Sequence, residues 1–184
     1  MQIDWTKIAG CCAITPPCFN DERGFFSPLF DPERFAKVDL PLNFERVNSS
    51  LSRDRGTLRG MHYQLPPFRE TKLVRVIAGA IWDVCLDIRV GSETFGQHTG
   101  IRLDSENRKM FLIPEGCAHG FLTLEPETEV LYLATSKYSA ERERSIRYND
   151  PRFNIQWPGT IRSISDKDRQ TPLFSPTYHL EKSI

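Results

Sequence analysis

The sequence predicts an all-β fold, a sandwich or barrel of short strands, and two observations carry that prediction. Runs rich in β-branched and aromatic residues follow one another at close spacing: "KLVRVIAG" from Lys72, "AIWDVCLDIRV" from Ala80, "TGIRLD" from Thr99, "KMFLIP" from Lys109, "GFLTLE" from Gly120 and "EVLYLATSKY" from Glu129. The 11 Gly and 13 Pro are spread between such runs, so they punctuate many short elements instead of marking a linker. With 184 residues the chain suits one domain, residues 1–184, with a full core.

Taken in order, the first regular element away from this pattern is "DPERFAKVDL", where Asp31 can cap a short helix with Pro32 in its first turn. The run from Ile81 to Val90 alternates most clearly. Trp82, Val84, Leu86, Ile88 and Val90 share one face, and Asp83, Cys85, Asp87 and Arg89 share the other. Two readings follow: core on one side and solvent on the other, or a polar face lining a barrel interior that holds a polar ligand. Beyond "YND" the chain is irregular and Pro-rich, which predicts a segment from about residue 150 that wraps the barrel.

Composition excludes several classes. Lys+Arg and Asp+Glu balance at 24 each, which removes the electrostatic case for a nucleic-acid partner. Arg75 and Asp83 interrupt the longest apolar candidate, so no membrane partner is expected, and "MQIDWTKIAGCC" does not read as a secretory signal. The 5 cysteines are odd in number and form no CxxC pair, which favours reduced thiols and a cytoplasmic setting. Cys117 beside His119 in "EGCAHG" is a minor candidate for a nucleophile and base.

Only 4 histidines are present, and two of them, His62 in "LRGMHYQ" and His119 in "PEGCAHGFL", lie in Gly-punctuated strand-edge contexts, each near a cation or a carboxylate. A histidine in a strand is ordinarily a hydrogen-bonded structural residue. Here Arg59 and Lys72 are near His62 in sequence, and the carboxylates Asp166 and Asp168 wait in "SDKD". A neutral imidazole, with a free pKa of about 6.5, can serve as a base, and a carboxylate on its second nitrogen would fix the tautomer. Lys72, at the head of a strand, is either a solvated charge or an ammonium aimed at a developing oxyanion. A metal reading would need a pair of histidines one residue apart, but Tyr63 and Gln64 follow His62, and His98 and His119 do not restore the spacing.

The ordered series "DERGFF", "NSSLS", "LRGMHYQ", "KLVRV", "WDVCLDIR", "GSETFGQ", "IPEGCAHGF", "EVLYLAT", "NDPRFNIQWP" and "SDKD" resembles the dTDP-4-dehydrorhamnose 3,5-epimerase family, over about Phe19 to Pro172. The resemblance implies a cupin-like jelly-roll barrel with short peripheral helices, a homodimer, no metal and no organic cofactor. It implies a nucleotide-linked 4-keto-6-deoxy sugar, dTDP-linked, as substrate and small-molecule partner. By the same resemblance His62 is the general base, Asp168 its carboxylate partner, Tyr132 the proton donor from the opposite face, and Lys72 with His119 the support for the enolate oxygen. Asp83 of "WDV" stands behind His119, and Arg23, Asn48, Arg59, Tyr138, Glu143 and Lys167 fall at positions that hold the sugar nucleotide.

The chain departs from the family pattern at Pro28, where a glutamate is usual, Arg46 (glutamine), Leu133 (lysine) and Tyr148 (tryptophan). These departures leave open a mono-epimerase acting on C3 or C5 alone; a metal-dependent cupin and a non-catalytic sugar-binding cupin are the remaining alternatives. One geometric question is also open. In a regular strand Arg59 and His62 would point to opposite faces. Either Gly60 hosts a bulge that re-aims them, or Arg59 serves the outer rim or a neighbouring subunit.

Overall fold

The computed structural model describes residues 1–37, 40 and 42–180. In chain order the elements are β1 (Gln2–Trp5), β2 (Cys12–Thr15), β3 (Phe19–Asp21), β4 (Gly24–Phe26), α1 (Pro32–Ala36), β5 (Arg46–Ser52), β6 (Thr57–Gln64), β7 (Lys72–Ala78), β8 (Ala80–Asp87), β9 (His98–Asp104), β10 (Met110–Ile113), β11 (Cys117–Thr123), β12 (Thr128–Ala134), β13 (Glu143–Ser145), β14 (Ser163–Ile164), α2 (Asp166–Arg169) and α3 (Pro176–His179). One antiparallel sheet runs β1-β2-β10-β7-β12-β5 and the other β13-β6-β11-β8-β9, while β3 and β4 form a separate hairpin. The sole parallel pairing among the described residues is β14 on β6, Ser163 opposite Thr57 and Ile164 opposite Leu58.

Strand β8 shows why both its faces are buried. Ile81 and Cys85 join Val74, Phe111, Phe121 and Val130 in the core between the sheets. Val84, Leu86 and Ile88 point outward, yet they are covered by Ile146, Phe153 and Ile155, with Trp157 and Phe174 packed alongside. The expectation of a solvent face is therefore corrected. The chain after residue 145 lies over the outer side of this sheet, and Asp83 and Asp87 are interior. Fully burying such a Val or Leu side chain stabilises the fold by roughly 1.5–3 kcal/mol.

The first sheet is covered in the same way. Cys12, Ile14, Leu73, Met110 and Leu112 meet Phe35 of α1, with Phe30 and Phe44 beside it. Asp31 caps α1 as expected: its Oδ1 accepts the backbone N–H of Glu33 at 3.0 Å and of Arg34 at 3.2 Å. Of the predicted helical stretch, residues 38 and 39 lie outside the described residues, as do 181–184 at the end of the predicted domain.

Strand β5 is the free edge of its sheet, and its pattern is inverted. Val47 and Leu51 are exposed, while Arg46, Asn48, Ser50 and Ser52 turn inward. No helix among the described residues is long and apolar enough to cross a membrane.

Candidate active site

The site is set by a bulge in β6. His62 lies directly opposite His119 on β11, but Arg59 lies opposite Phe121, so three steps along β6 match two along β11. Gly60 and Met61 together face Gly120, and the extra residue puts Arg59 and His62 on the same side. Gly60 has φ +129, and a Cβ there would sit 2.5 Å from Gly120 Cα and 2.8 Å from the His119 carbonyl oxygen. A Cβ on Gly120 would fall 2.6 Å from Met61 Sδ. Two glycines are needed for the backbones to approach this closely. The open question about Arg59 is answered: the bulge re-aims it.

Arg59 and His62 both line a cavity of about 470 Å³ between the sheets. Thr57, Leu58, His119 and Phe121 add to the contribution of their sheet, and Ser50, Lys72 and Tyr132 face them from the other. Ser163, Ser165, Lys167 and Asp168 close one side. The parallel pairing of β14 with β6 delivers that last segment. Ser165 then caps α2 by accepting the Asp168 N–H at 3.1 Å, which fixes where the Asp168 side chain begins.

Asp168 Oδ1 lies 2.6 Å from His62 Nε2, and the Gly60 N–H donates to its Oδ2 at 3.4 Å. Burial alone would raise the Asp168 carboxyl, but the bond from His62, its charge, Ser165 and Gly60 hold it below the ordinary carboxylate value. An ionised carboxylate only accepts, so Nε2 carries the proton and Nδ1 is left as an acceptor. No described residue hydrogen-bonds that Nδ1. His119 repeats the arrangement, its Nε2 lying 2.6 Å from Oδ1 of the fully buried Asp83, whose Oδ2 has no partner among the described residues.

Tyr132 has no hydrogen-bond partner for its hydroxyl among the described residues, and burial raises its pKa, so it is protonated at neutral pH. The Lys72 ammonium donates to the His62 carbonyl oxygen at 3.3 Å and lies 3.3 Å from Glu70 Oε1.

The structure brings His62, Tyr132, Asp168, Lys72, Arg59, His119 and Lys167 to one cavity. An adjoining recess of about 100 Å³ shares His62, Lys72 and Tyr132 and adds Tyr138 and Glu143. Glu143 Oε2 accepts Lys167 Nζ at 2.6 Å and the Tyr138 hydroxyl at 2.9 Å. Asn48 is the register partner of Tyr132 on β5, and its buried Nδ2 is unpaired among the described residues.

Two of the candidate residues stand apart from the cavity of this chain. Arg23 is not on the cavity wall: it stands at the tip of the β3–β4 hairpin, its side chain 84% exposed and paired with Asp21 at 2.5 Å. That hairpin belongs to neither sheet of this chain. Cys117 is packed in the apolar core with Cys11 and Cys85, outside the cavity lining, which removes it as a nucleophile there. All five cysteines are free.

Sequence reasoning missed Glu70 and Gln64. Glu70 sits two residues before Lys72, a spacing that was the available signal. Of the departures, Leu133 packs into the outer cluster, away from Tyr132 and the cavity, and Tyr148 offers its backbone oxygen to Trp157 Nε1 at 3.0 Å. Only Arg46 reaches the recess. Among the described residues, no group of three or more His, Cys, Asp or Glu is placed to hold a metal ion.

The family model described as dTDP-4-dehydrorhamnose 3,5-epimerase matches residues 5–176. A dTDP-4-dehydrorhamnose 3,5-epimerase from Sinorhizobium fredii is 42% identical over 173 residues, covering 94% of this chain and 89% of that protein. The crystal structure of the Bacillus anthracis enzyme of that name, with TDP and PPi bound, superimposes with a TM-score of 0.91 at 38% identity, over 94% of this chain and 99% of that one. A dTDP-6-deoxy-D-glucose-3,5-epimerase from Legionella pneumophila, in complex with dTDP-4-keto-L-rhamnose, gives a TM-score of 0.89 at 41% identity, over 94% and 92% of the two chains. Likeness of this extent in both sequence and fold places the chain in a family: it belongs to the dTDP-4-dehydrorhamnose 3,5-epimerases.

Proposed function

We propose that His62, Tyr132, Lys72 and Asp168 carry out the family's reaction in this chain. That reaction is the epimerisation of a dTDP-4-keto-6-deoxy sugar at C3 and C5, a step of deoxysugar biosynthesis. The observation that carries the assignment is the placement of His62 and Tyr132 on facing sheets around one cavity.

The C4 ketone makes the protons on C3 and C5 acidic, because the electrons left behind become an enolate with its charge on O4. His62 Nδ1 takes the proton, and Asp168 on Nε2 stabilises the imidazolium that forms. Lys72, with His119 beside it on the wall, supports the negative oxygen; one such donor is typically worth roughly 10²–10³ in rate. Tyr132 delivers a proton to the opposite face of the carbon, which inverts it; the His62 imidazolium then gives its proton to solvent, and Tyr132 is reprotonated from solvent. The same cycle at the second carbon completes the product. The cations Arg59 and Lys167 on the same wall suit the diphosphate of the dTDP carrier.

The chain works as a homodimer on this reading. Exposed Val47 and Leu51 on the free edge strand β5 support it, with exposed Phe19 and Phe26 on the hairpin. The five free thiols fit a reducing, cytoplasmic setting. The test of the reaction is incubation with dTDP-4-keto-6-deoxyglucose in heavy water: deuterium should enter at both C3 and C5. Label at neither carbon would overturn the assignment, and label at one alone would reduce it to a mono-epimerase.

A further inference from the structure

The recess beside the cavity holds a charge arrangement that the reaction as drawn does not use. Glu70 has a side chain only 8% exposed, and it lies between two cations. Its Oε1 faces the Lys72 ammonium at 3.3 Å, while its Oε2 accepts a hydrogen bond from Arg46 and has Gln64 Nε2 3.2 Å away. Arg46 is itself tied down, its Nε donating to the Ser136 carbonyl oxygen at 2.7 Å. Gln64 fastens the surrounding loops by donating to the Phe68 and Lys137 carbonyl oxygens, each at 3.0 Å.

The geometry points to Glu70 and Arg46 as a matched pair of positioning residues for Lys72, the first aiming its ammonium and the second balancing Glu70. An ammonium has three N–H donors. Two are directed at the His62 carbonyl oxygen and at Glu70, which leaves the third for a ligand oxygen in the cavity that Lys72 lines. With Glu70 as its only neighbouring charge, Lys72 would form a neutral pair, and the ammonium would be drawn to the carboxylate rather than to a developing enolate oxygen. Arg46 occupies the other carboxylate oxygen and restores a net positive charge beside the cavity. Neither Glu70 nor Arg46 lines the main cavity, so both act through residues that do, and Lys72 is the one that Glu70 contacts.

This couples to the departure at position 46, where the family commonly has a neutral glutamine. An extra cation there is matched here by a carboxylate, and removing either one alone leaves the other uncompensated near Lys72. Replacing both with glutamine keeps the hydrogen-bonding bulk and the same net charge.

The inference rests on Lys72 as the support for the enolate oxygen, and the experiment separates the two. Steady-state epimerisation and deuterium exchange of a dTDP-4-keto-6-deoxy sugar would be measured for K72A, E70Q, R46Q and the R46Q/E70Q double variant. E70Q and R46Q should each lower kcat by about 10- to 100-fold, less than the full loss of one oxyanion donor, with KM changed less than about threefold. The double variant should recover to within about threefold of the parent. A double variant as slow as the slower single, or singles with unchanged kcat, would overturn the pairing. If K72A also exchanges at the parent rate, the role of Lys72 itself has failed. Thermal midpoints taken in parallel, with kcat expressed per folded molecule, separate a loss of stability, which the double variant would also relieve, from a loss of catalysis by molecules that are folded.

Discussion

His62 on β6 and Tyr132 on β12 reach the same cavity from opposite sheets of the sandwich. That relation is what inversion at carbon requires, since the proton must leave one face and return to the other. It also separates the two residues experimentally. His62→Ala should abolish both exchange and inversion, a loss of about 10²–10⁴ for a positioned base. Tyr132→Phe should lose inversion by a similar factor yet keep solvent exchange in the starting configuration, because His62 can still remove a proton and return a solvent-derived one to the same face. Proton NMR of substrate recovered from heavy water distinguishes the outcomes. Normal inversion by the Phe variant would remove Tyr132 from the role.

Asp168 gives a pH prediction. Burial would raise its carboxyl, but the hydrogen bond from His62 and its neighbours hold the folded-state pKa below the unfolded value of about 3.9. A depressed folded pKa means stability that is present above the unfolded pKa and is lost as pH falls through the folded one. Asp168→Asn should therefore cost about 1.5–3 kcal/mol at neutral pH, and the gap to the parent should close below about pH 4. Urea melts at a series of pH values check this. A gap that stays constant down to acid pH would mean that Asp168 contributes through shape alone.

The bulge in β6 is equally open to test. Gly60→Ala places a methyl group within 2.5 Å of the Gly120 backbone, at a φ of +129 that L residues rarely adopt. Strand β6 must shift against β11, and the site lies on that shift. Activity should fall by at least about 100-fold, because a misplacement of about 1 Å in a catalytic site can cost that much. Gly24→Ala, at a φ of +132 with nothing within 4 Å of its Cβ, is the control: it carries the backbone strain without the clash and should retain activity. Near-normal turnover of the Gly60 variant would show that the close approach is not required.

What the sequence made legible, and what it hid, follows from which side chains face water. The strands from Lys72 to Ala134 were readable because their interiors are built from Val, Leu, Ile and Phe, whose alternation survives in the letters. Strand β5 was not read as a strand, because it puts Val47 and Leu51 outward and polar Arg46, Asn48 and Ser50 toward the site, the inverse of the usual pattern. The solvent reading of β8 failed because the chain that covers its outer face lies more than fifty residues later, beyond any local window. His62 and Asp168 are 106 positions apart, so motif order could pair them but no periodicity could. Arg23 shows the opposite limit: its motif matches, but a hairpin outside both sheets holds it away from the cavity of its own chain.

Asp87 explains the second half of the "WDVCLDIR…GSETFGQ" series and yields the last prediction. The carboxylate is fully buried and accepts from the Arg89 backbone N–H at 2.9 Å, Arg89 Nε at 3.0 Å and Nη2 at 2.8 Å. It also accepts from the Ser92 and Thr94 hydroxyls, each at 2.6 Å. Burial would raise its pKa, yet Arg89 and the two hydroxyls hold it far below the ordinary value, so the group stays ionised throughout the physiological range. These bonds tie the turn between β8 and β9, and Asp87 is not on the cavity wall. Asp87→Ala leaves two hydroxyls and a partly exposed guanidinium without their common acceptor, a loss of about 1.5–3 kcal/mol, the scale of hydrogen bonds to a charged group. Asp87→Asn should cost nearly as much, because its amide NH₂ would face donors. Denaturant melts should show both losses, while kcat per folded molecule stays near that of the parent. A loss under about 1 kcal/mol would mean that the turn is held by its backbone alone, and a selective loss of kcat would mean that the turn communicates with the site.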